Sequence, residues 1–311
     1  MTIGQTAISA ALTSAYNDDK PCFLGENIIE NEATAPVWRS YNGAVFNYAI
    51  PGDTAVTDSA KPAERAYDRL ATALTSPTSQ TTKGYAIMFD LTTSWTADLV
   101  VILEHNFPDV QAGGTLTARI WVSDDNFTNV VTGDNNWIWT IGDNKRLVGF
   151  AANSYSGIEQ VQLSLTNTVD FSGTPRVGEI LIGRRRQVSR QPNEPWGREV
   201  WDADVVRFAS DDGDMVHYER YKGRRLFAPT WSPTGTDTYG LDDVTTLQDL
   251  AIDIGYGSQP FIFWPRPKTK EDEGFFCYME EPYWPFEFQG PFEQEVALDF
   301  KEMRPFRSSE I

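Results

Sequence analysis

The chain has 311 residues, 41% of them hydrophobic and 13% aromatic, which is enough apolar mass to bury one large core or two ordinary ones. Its formal net charge is −18, from 26 Lys and Arg against 44 Asp and Glu, and that balance opposes sequence-independent binding to nucleic acid. The apolar runs are too short for a membrane helix, the N-terminal stretch lacks a basic-then-apolar signal pattern, and two histidines with two distant cysteines (Cys22, Cys277) make no zinc cluster, so no metal or cofactor is expected and the chain is expected to fold in a reducing cytoplasm.

Residues 1–84 are rich in Ala, Thr, Ser, Asn and Asp and read as an arm with the opening strands of a first domain. Within them KPAERAYDRLATAL (61–74) predicts a short helix, with Pro62 in its first turn and Ala66, Leu70 and Leu74 four apart. From Tyr85 strand patterns take over. YAIMFDL (85–91) is short and β-prone, and DLVVILEH (98–105) is a near-continuous apolar run, as in a strand buried on both faces. TLTARIWV (115–122) alternates, placing Leu116, Ala118, Ile120 and Val122 on one face and Thr115, Thr117, Arg119 and Trp121 on the other. WIWTI, RLVGFA, VQLSL and VGEILIG supply further strands. The spacing predicts a mainly β chain: an antiparallel, jelly-roll-like β-sandwich over 85–190, then a second β-rich domain over 191–311.

In that second part VVRFA, DMVHYE and RRLFA read as short strands. LDDVTTLQDLAIDIG predicts one α-helix near 242–254, capped by Asp242 or Asp243, with Val244, Leu247, Leu250, Ala251 and Ile254 on one face and Gly255 as its stop. PFIFWPRP, FFCYME and VALDFKEM read as strands, and residues 256–292 hold 12 aromatics in 37 positions, a density expected of a core or an interface.

No constellation argues for catalysis, and the chain is expected not to be an enzyme. His105 beside Glu104 and near Asp109 offers a His–carboxylate pair without a nucleophile. Asp211, Asp212 and Asp214 near His217 lack the length and closing glutamate of a calcium loop. Glu280, Glu281, Glu287, Glu293 and Glu295 lie among tryptophan and tyrosine, as carboxylates do in glycoside hydrolases, with no pair at a defined separation.

The charge is unevenly spread. Residues 176–225 hold 11 Lys and Arg against 9 Asp and Glu, a net of +2, while the rest hold 15 against 35, a net of −20. Inside this island Arg184, Arg185, Arg186 and Arg190 follow an apolar strand. Guanidinium groups make bidentate contacts to carboxylates, so the run is expected to latch one domain, or one subunit, to another; a solvated strand end is the alternative.

Three stretches carry a resemblance. LVVILEHNFPDVQAGGTLTARIWVSDDNF resembles the central strands of discoidin-like or galactose-binding-like modules. GEILIGRRRQVSRQPNEPW is similar to a segment that follows such a sandwich in tail proteins of long-tailed bacteriophages. FASDDGDMVHYERYKGRRLFAPTWSP, then a helix and GSQPFIFWPRP, is similar to the remainder of such tail-tip proteins. The resemblance implies a virion structural protein of the tail tip or baseplate, akin to distal tail proteins, assembled in the bacterial cytoplasm. It would form a homo-oligomeric ring joining tail tube, tape measure and hub to receptor-binding parts. Distal tail proteins usually place the ring domain first, and here the order is reversed. A carbohydrate-binding adhesin that contacts a host surface glycan is the alternative, with Trp121, Trp137 and Trp139 as the glycan-facing aromatics.

Overall fold

The computed structural model describes residues 6–8, 20–31, 36–41, 54–61, 75–78, 82–124, 137–143, 146–189, 191–193, 205–209, 215–219, 226–231, 239–267, 274–280, 286–290 and 293–303. The expected helix at 61–74, apart from Lys61, lies outside them, as do Arg190 and the aspartates of 210–214.

The fold is built on two long antiparallel strands, Gly84–Leu103 and Arg146–Asn167. The sequence reads each as two separate strands, 85–91 and 98–105 in the first and RLVGFA and VQLSL in the second, leaving the polar residues 92–94 outside any strand. They are instead an exposed corner of one ribbon. The register slips between Asp90 and Trp95, between Trp95 and Thr96, and between Ala97 and Leu99, and Gly157 on the facing strand has φ +78°. Such irregularities let strands turn from one sheet of a sandwich into the other.

The first half of Gly84–Leu103 and the second half of Arg146–Asn167 join Val37–Tyr41, Thr54–Ala55, Leu116–Ser123 and Ile138–Thr140 in the outer sheet. The second half of Gly84–Leu103, paired with Glu179–Gly183, and the first half of Arg146–Asn167, paired in parallel with Thr6–Ile8, form the inner sheet. Between them lies the sandwich core, including Trp38, Tyr85, Phe89, Ile102, Ile120, Leu163 and Ile180.

A third sheet of six strands stacks on the inner sheet. Its order is Arg186–Gln187, Cys22–Leu24, Phe261–Trp264, Phe275–Met279, Phe300–Glu302, Leu226–Phe227. Leu99, Val101, Leu103, Val148, Phe150 and Leu181 from the inner sheet meet Cys22, Leu24, Ile262, Trp264 and Phe276 from the third. This is why 98–105 lacks alternation: Val100 and Ile102 face the sandwich core while Leu99, Val101 and Leu103 face the third sheet. The opposite face of the third sheet carries Phe23, Phe227, Phe261, Phe263, Phe275 and Phe300, packed with Leu247, Leu250, Ala251 and Ile254 of the helix Tyr239–Asp253. Phe23, Phe227, Phe261, Phe263 and Phe300 form a chain of ring pairs with centroids 4.9 to 6.2 Å apart, so the aromatic density at this end is largely core.

The chain thus does not divide in sequence order. Cys22–Leu24, within the arm expected to open the sandwich, is an inner strand of the third sheet, and Arg186–Gln187 is its edge.

Candidate functional site

Arg184 and Arg185 occupy the crossing from Glu179–Gly183 in the inner sheet to Arg186–Gln187 in the third. The crossing is crowded: a Cβ on Gly183 would come within 2.6 Å of the Glu26 carbonyl oxygen. Arg185 is held on the sandwich side. Its backbone N–H donates to Asp98 Oδ1 at 2.8 Å and its Nε lies 3.5 Å from Oδ2, which also accepts from the Ser154 hydroxyl at 3.3 Å. Burial pushes the Asp98 carboxyl up, against the opposing pull of the Arg185 backbone N–H and guanidinium.

Arg186 is held on the helix side. Its Nε and Nη2 donate to the two oxygens of Asp253 at 2.7 and 3.0 Å, and its Nη1 donates to Asp249 Oδ2 at 3.0 Å. Asp249 and Asp253 are one helical turn apart, so a single planar guanidinium spans both. Glu26 lies at the same junction, accepts the Arg184 backbone N–H at 3.4 Å, and is pushed up chiefly by burial and then by the Asp253 charge. The Arg184 side chain is exposed. The partner carboxylates were not identifiable beforehand, because Asp98 and Asp253 stand 87 and 67 residues from the arginines they meet.

The three tryptophans do not share a surface. Trp137 and Trp139 are each 3% exposed and fill the sandwich core over Gly149, where a Cβ would meet Trp137 Cδ1 at 2.3 Å. Trp139 also donates its indole N–H to the Val148 carbonyl at 2.9 Å. These two are therefore corrected from glycan-facing to core residues; the outward residues of that strand are Ile138 and Thr140. Trp121 alone stands on the other side of the outer sheet, half-buried, with the Arg119 guanidinium carbon 3.6 Å from its ring centroid. Burial lowers the Arg119 guanidinium's proton affinity. Across the strands from this pair lie Gln162 and Ser164, joined by a 2.7 Å hydrogen bond, with Met88 next to Gln162.

Of the other candidates, His105 is buried and stacked on Phe107 at 4.2 Å, and its Nδ1 accepts the Phe107 N–H at 3.4 Å. Asp109 is exposed. His217 lies in the strand Met215–Glu219, opposite Arg207 in Val205–Ala209. Glu280 pairs with Lys301; Glu287, Glu293 and Glu295 lie in two paired strands, and Glu281 is outside the described residues. Among the described residues no three His, Cys, Asp or Glu side chains gather as metal ligands. Between the inner and third sheets, beside Arg146 and Trp264, is a cavity of about 10 Å³, room for one water and far too small for a sugar ring.

No protein-family model matches the sequence, and no curated protein matches it. Among solved structures, the chain is similar to a chitosan-binding module of a chitosanase/glucanase from Paenibacillus sp. IK-5, with 16% identity and a TM-score of 0.34, over 50% of this chain and 98% of that one. It is similar to a fucose binding module of Streptococcus pneumoniae, with 16% identity and a TM-score of 0.32, over 54% and 99%. It is also similar to the lectin domain of lectinolysin complexed with Lewis B antigen, with 13% identity and a TM-score of 0.34, over 51% and 96%. Likeness of this degree carries no argument about the present chain's ligand.

Proposed function

We propose that the chain is a non-enzymatic recognition and assembly protein: a carbohydrate-binding β-sandwich held in one orientation by the second β domain. The observation that supports this reading is the way the sandwich is mounted. Its inner sheet is consumed by apolar docking, and the crossing beside it is fixed to the sandwich by Arg185–Asp98 and to the helix by Arg186–Asp253. A sandwich mounted in this way presents its remaining surfaces in a fixed direction. Carbohydrate is the ligand class to test first, since the sequence resembles galactose-binding-like modules and Trp121 is a half-buried aromatic on the outer sheet. The larger assembly that the sequence resemblance points to is a phage tail tip or baseplate.

Binding of the full chain to a broad glycan array tests the recognition half. Trp121→Ala is expected to lower the retained signal at least tenfold while leaving the circular dichroism spectrum unchanged. An array with no signal, or signal indifferent to Trp121→Ala and Arg119→Ala, removes the glycan role from this face. A second reading, assembly alone, is favoured by the closure of that face: Gln160, Gln162, Ser164 and Ser123 are all buried.

A further inference from the structure

Arg119 and Trp121 stand two residues apart on Leu116–Ser123 and share its outward face. The Arg119 guanidinium carbon lies 3.6 Å from the centroid of the Trp121 ring, contact distance for a planar cation resting on an aromatic face.

What sets Arg119 apart is what its N–H groups meet. Three other half-buried arginines each reach an oxygen of this chain. Arg146 donates to the Gly274 carbonyl at 2.7 Å, Arg185 Nε lies 3.5 Å from Asp98, and Arg186 donates to Asp249 and Asp253. Among the described residues Arg119 donates to no oxygen and pairs with no carboxylate; its contact is the Trp121 ring. Burial lowers its proton affinity and no neighbouring carboxylate raises it. Taking water from a guanidinium without returning an acceptor is unfavourable, and a chain with 44 Asp and Glu could easily supply one. A guanidinium resting on a ring keeps its donors at its edge, in the fork that takes both oxygens of a carboxylate.

The ground around the pair is uncharged. In the cross-strand register Arg119 lies between Ser164 and Ile138, Trp121 lies beside Gln162, and Thr117 faces Thr140. Ile138 and Thr140 are exposed on Ile138–Thr140, the strand that ends the outer sheet on this side among the described residues. The face therefore opens toward a sheet edge. It offers hydroxyl groups and an apolar side chain around one unpaired cation, with no carboxylate beside it to repel an anion.

We propose that this face binds a saccharide through a carboxylate, as in a uronic or sialic acid, with the edge of the Arg119 guanidinium taking both carboxylate oxygens. Trp121 is the positioning residue, since its ring holds the guanidinium in place. The inference rests on the recognition half of the proposed function and names the ligand class of that face: a glycan with a free carboxylate, in preference to its neutral counterpart.

An array that carries glycans of uronic and sialic acid beside the same glycans methyl-esterified, with sulfated glycans alongside, tests it on the full chain. Circular dichroism confirms that each variant is folded. The wild-type chain is expected to retain the acids at least tenfold more strongly than the esters. Arg119→Gln is expected to retain acid and ester equally and weakly, and Arg119→Lys, which keeps the charge and loses the fork, to fall between. A preference for acid over ester that survives Arg119→Gln, or signal confined to neutral or sulfated glycans, overturns this inference and leaves the recognition reading standing. An array with no signal at all overturns both.

Discussion

Arg186 carries a larger burden than its neighbours because of where its partners sit. The Asp253 side chain is 9% exposed and Arg186 16%, and Glu26 adds a half-buried negative charge. Removing the guanidinium would leave Asp253 and Glu26 close together with nothing between them, so Arg186→Ala is expected to cost about 3 kcal/mol in urea unfolding near neutral pH. Asp249 is 43% exposed and its pair is screened, so Asp249→Asn is expected to cost under about 1 kcal/mol. The same junction sets a pH dependence. Glu26 and Asp98 have folded-state values raised above 4.5 and 3.8, so the folded form takes up their protons before the unfolded form does. Their contribution is therefore fully present below those ordinary values and is lost as pH rises through the raised ones. The urea midpoint is expected to increase on acidification from neutral toward that range, and Glu26→Gln is expected to flatten the slope. That this chain uses arginine–carboxylate pairs was legible from the charge island; which carboxylates they are was not, because the pairs are made by chain crossings that no local pattern records.

At the scale of strands, two glycines separate backbone need from packing need. Gly157 has φ +78° at the corner of the long ribbon, and a Cβ there would meet nothing closer than 3.9 Å. Gly157→Ala is expected to cost about 1–2 kcal/mol, from conformation alone. Gly149 faces Trp137 and Trp139, so Gly149→Ala must displace indole rings and is expected to cost about 3 kcal/mol, with a shift in tryptophan fluorescence that Gly157→Ala does not produce. Periodicity read single faces well. The alternation in 116–122 matches a strand with Leu116, Ala118, Ile120 and Val122 in the core, and the glycine stop of the helix is where the sequence places it. Continuity was not legible: Thr92, Thr93 and Ser94 are exposed and polar whether they form a loop or the outside of a bent strand. The tryptophans misled for a related reason. In WIWTI the two rings alternate with an isoleucine, and period two says they share a face but not which face is the inside.

Taken whole, the molecule is a stack in which outer sheet, inner sheet, third sheet and helix follow one another, separated by three apolar layers. The chain threads these layers out of order. Cys22–Leu24 lies between Arg186–Gln187 and Phe261–Trp264, so strands far apart in sequence must be in place before the third sheet closes. Arg146 adds a second tie, reaching from the inner sheet to donate to the Gly274 carbonyl at 2.7 Å, away from the arginine crossing. A middle layer made of Leu99, Val101, Phe150, Ile262, Trp264 and their neighbours cannot be exposed without stripping apolar surface from both domains at once. The sandwich and the second domain are therefore expected to unfold in a single transition, with calorimetric and fluorescence midpoints coinciding. Val101→Asp puts an unpaired carboxylate in that layer, and is expected to lower both midpoints together. Two separate transitions in the unmodified chain would instead mean that the middle layer holds nothing together, and the fixed mounting on which the proposed function rests would fail with it.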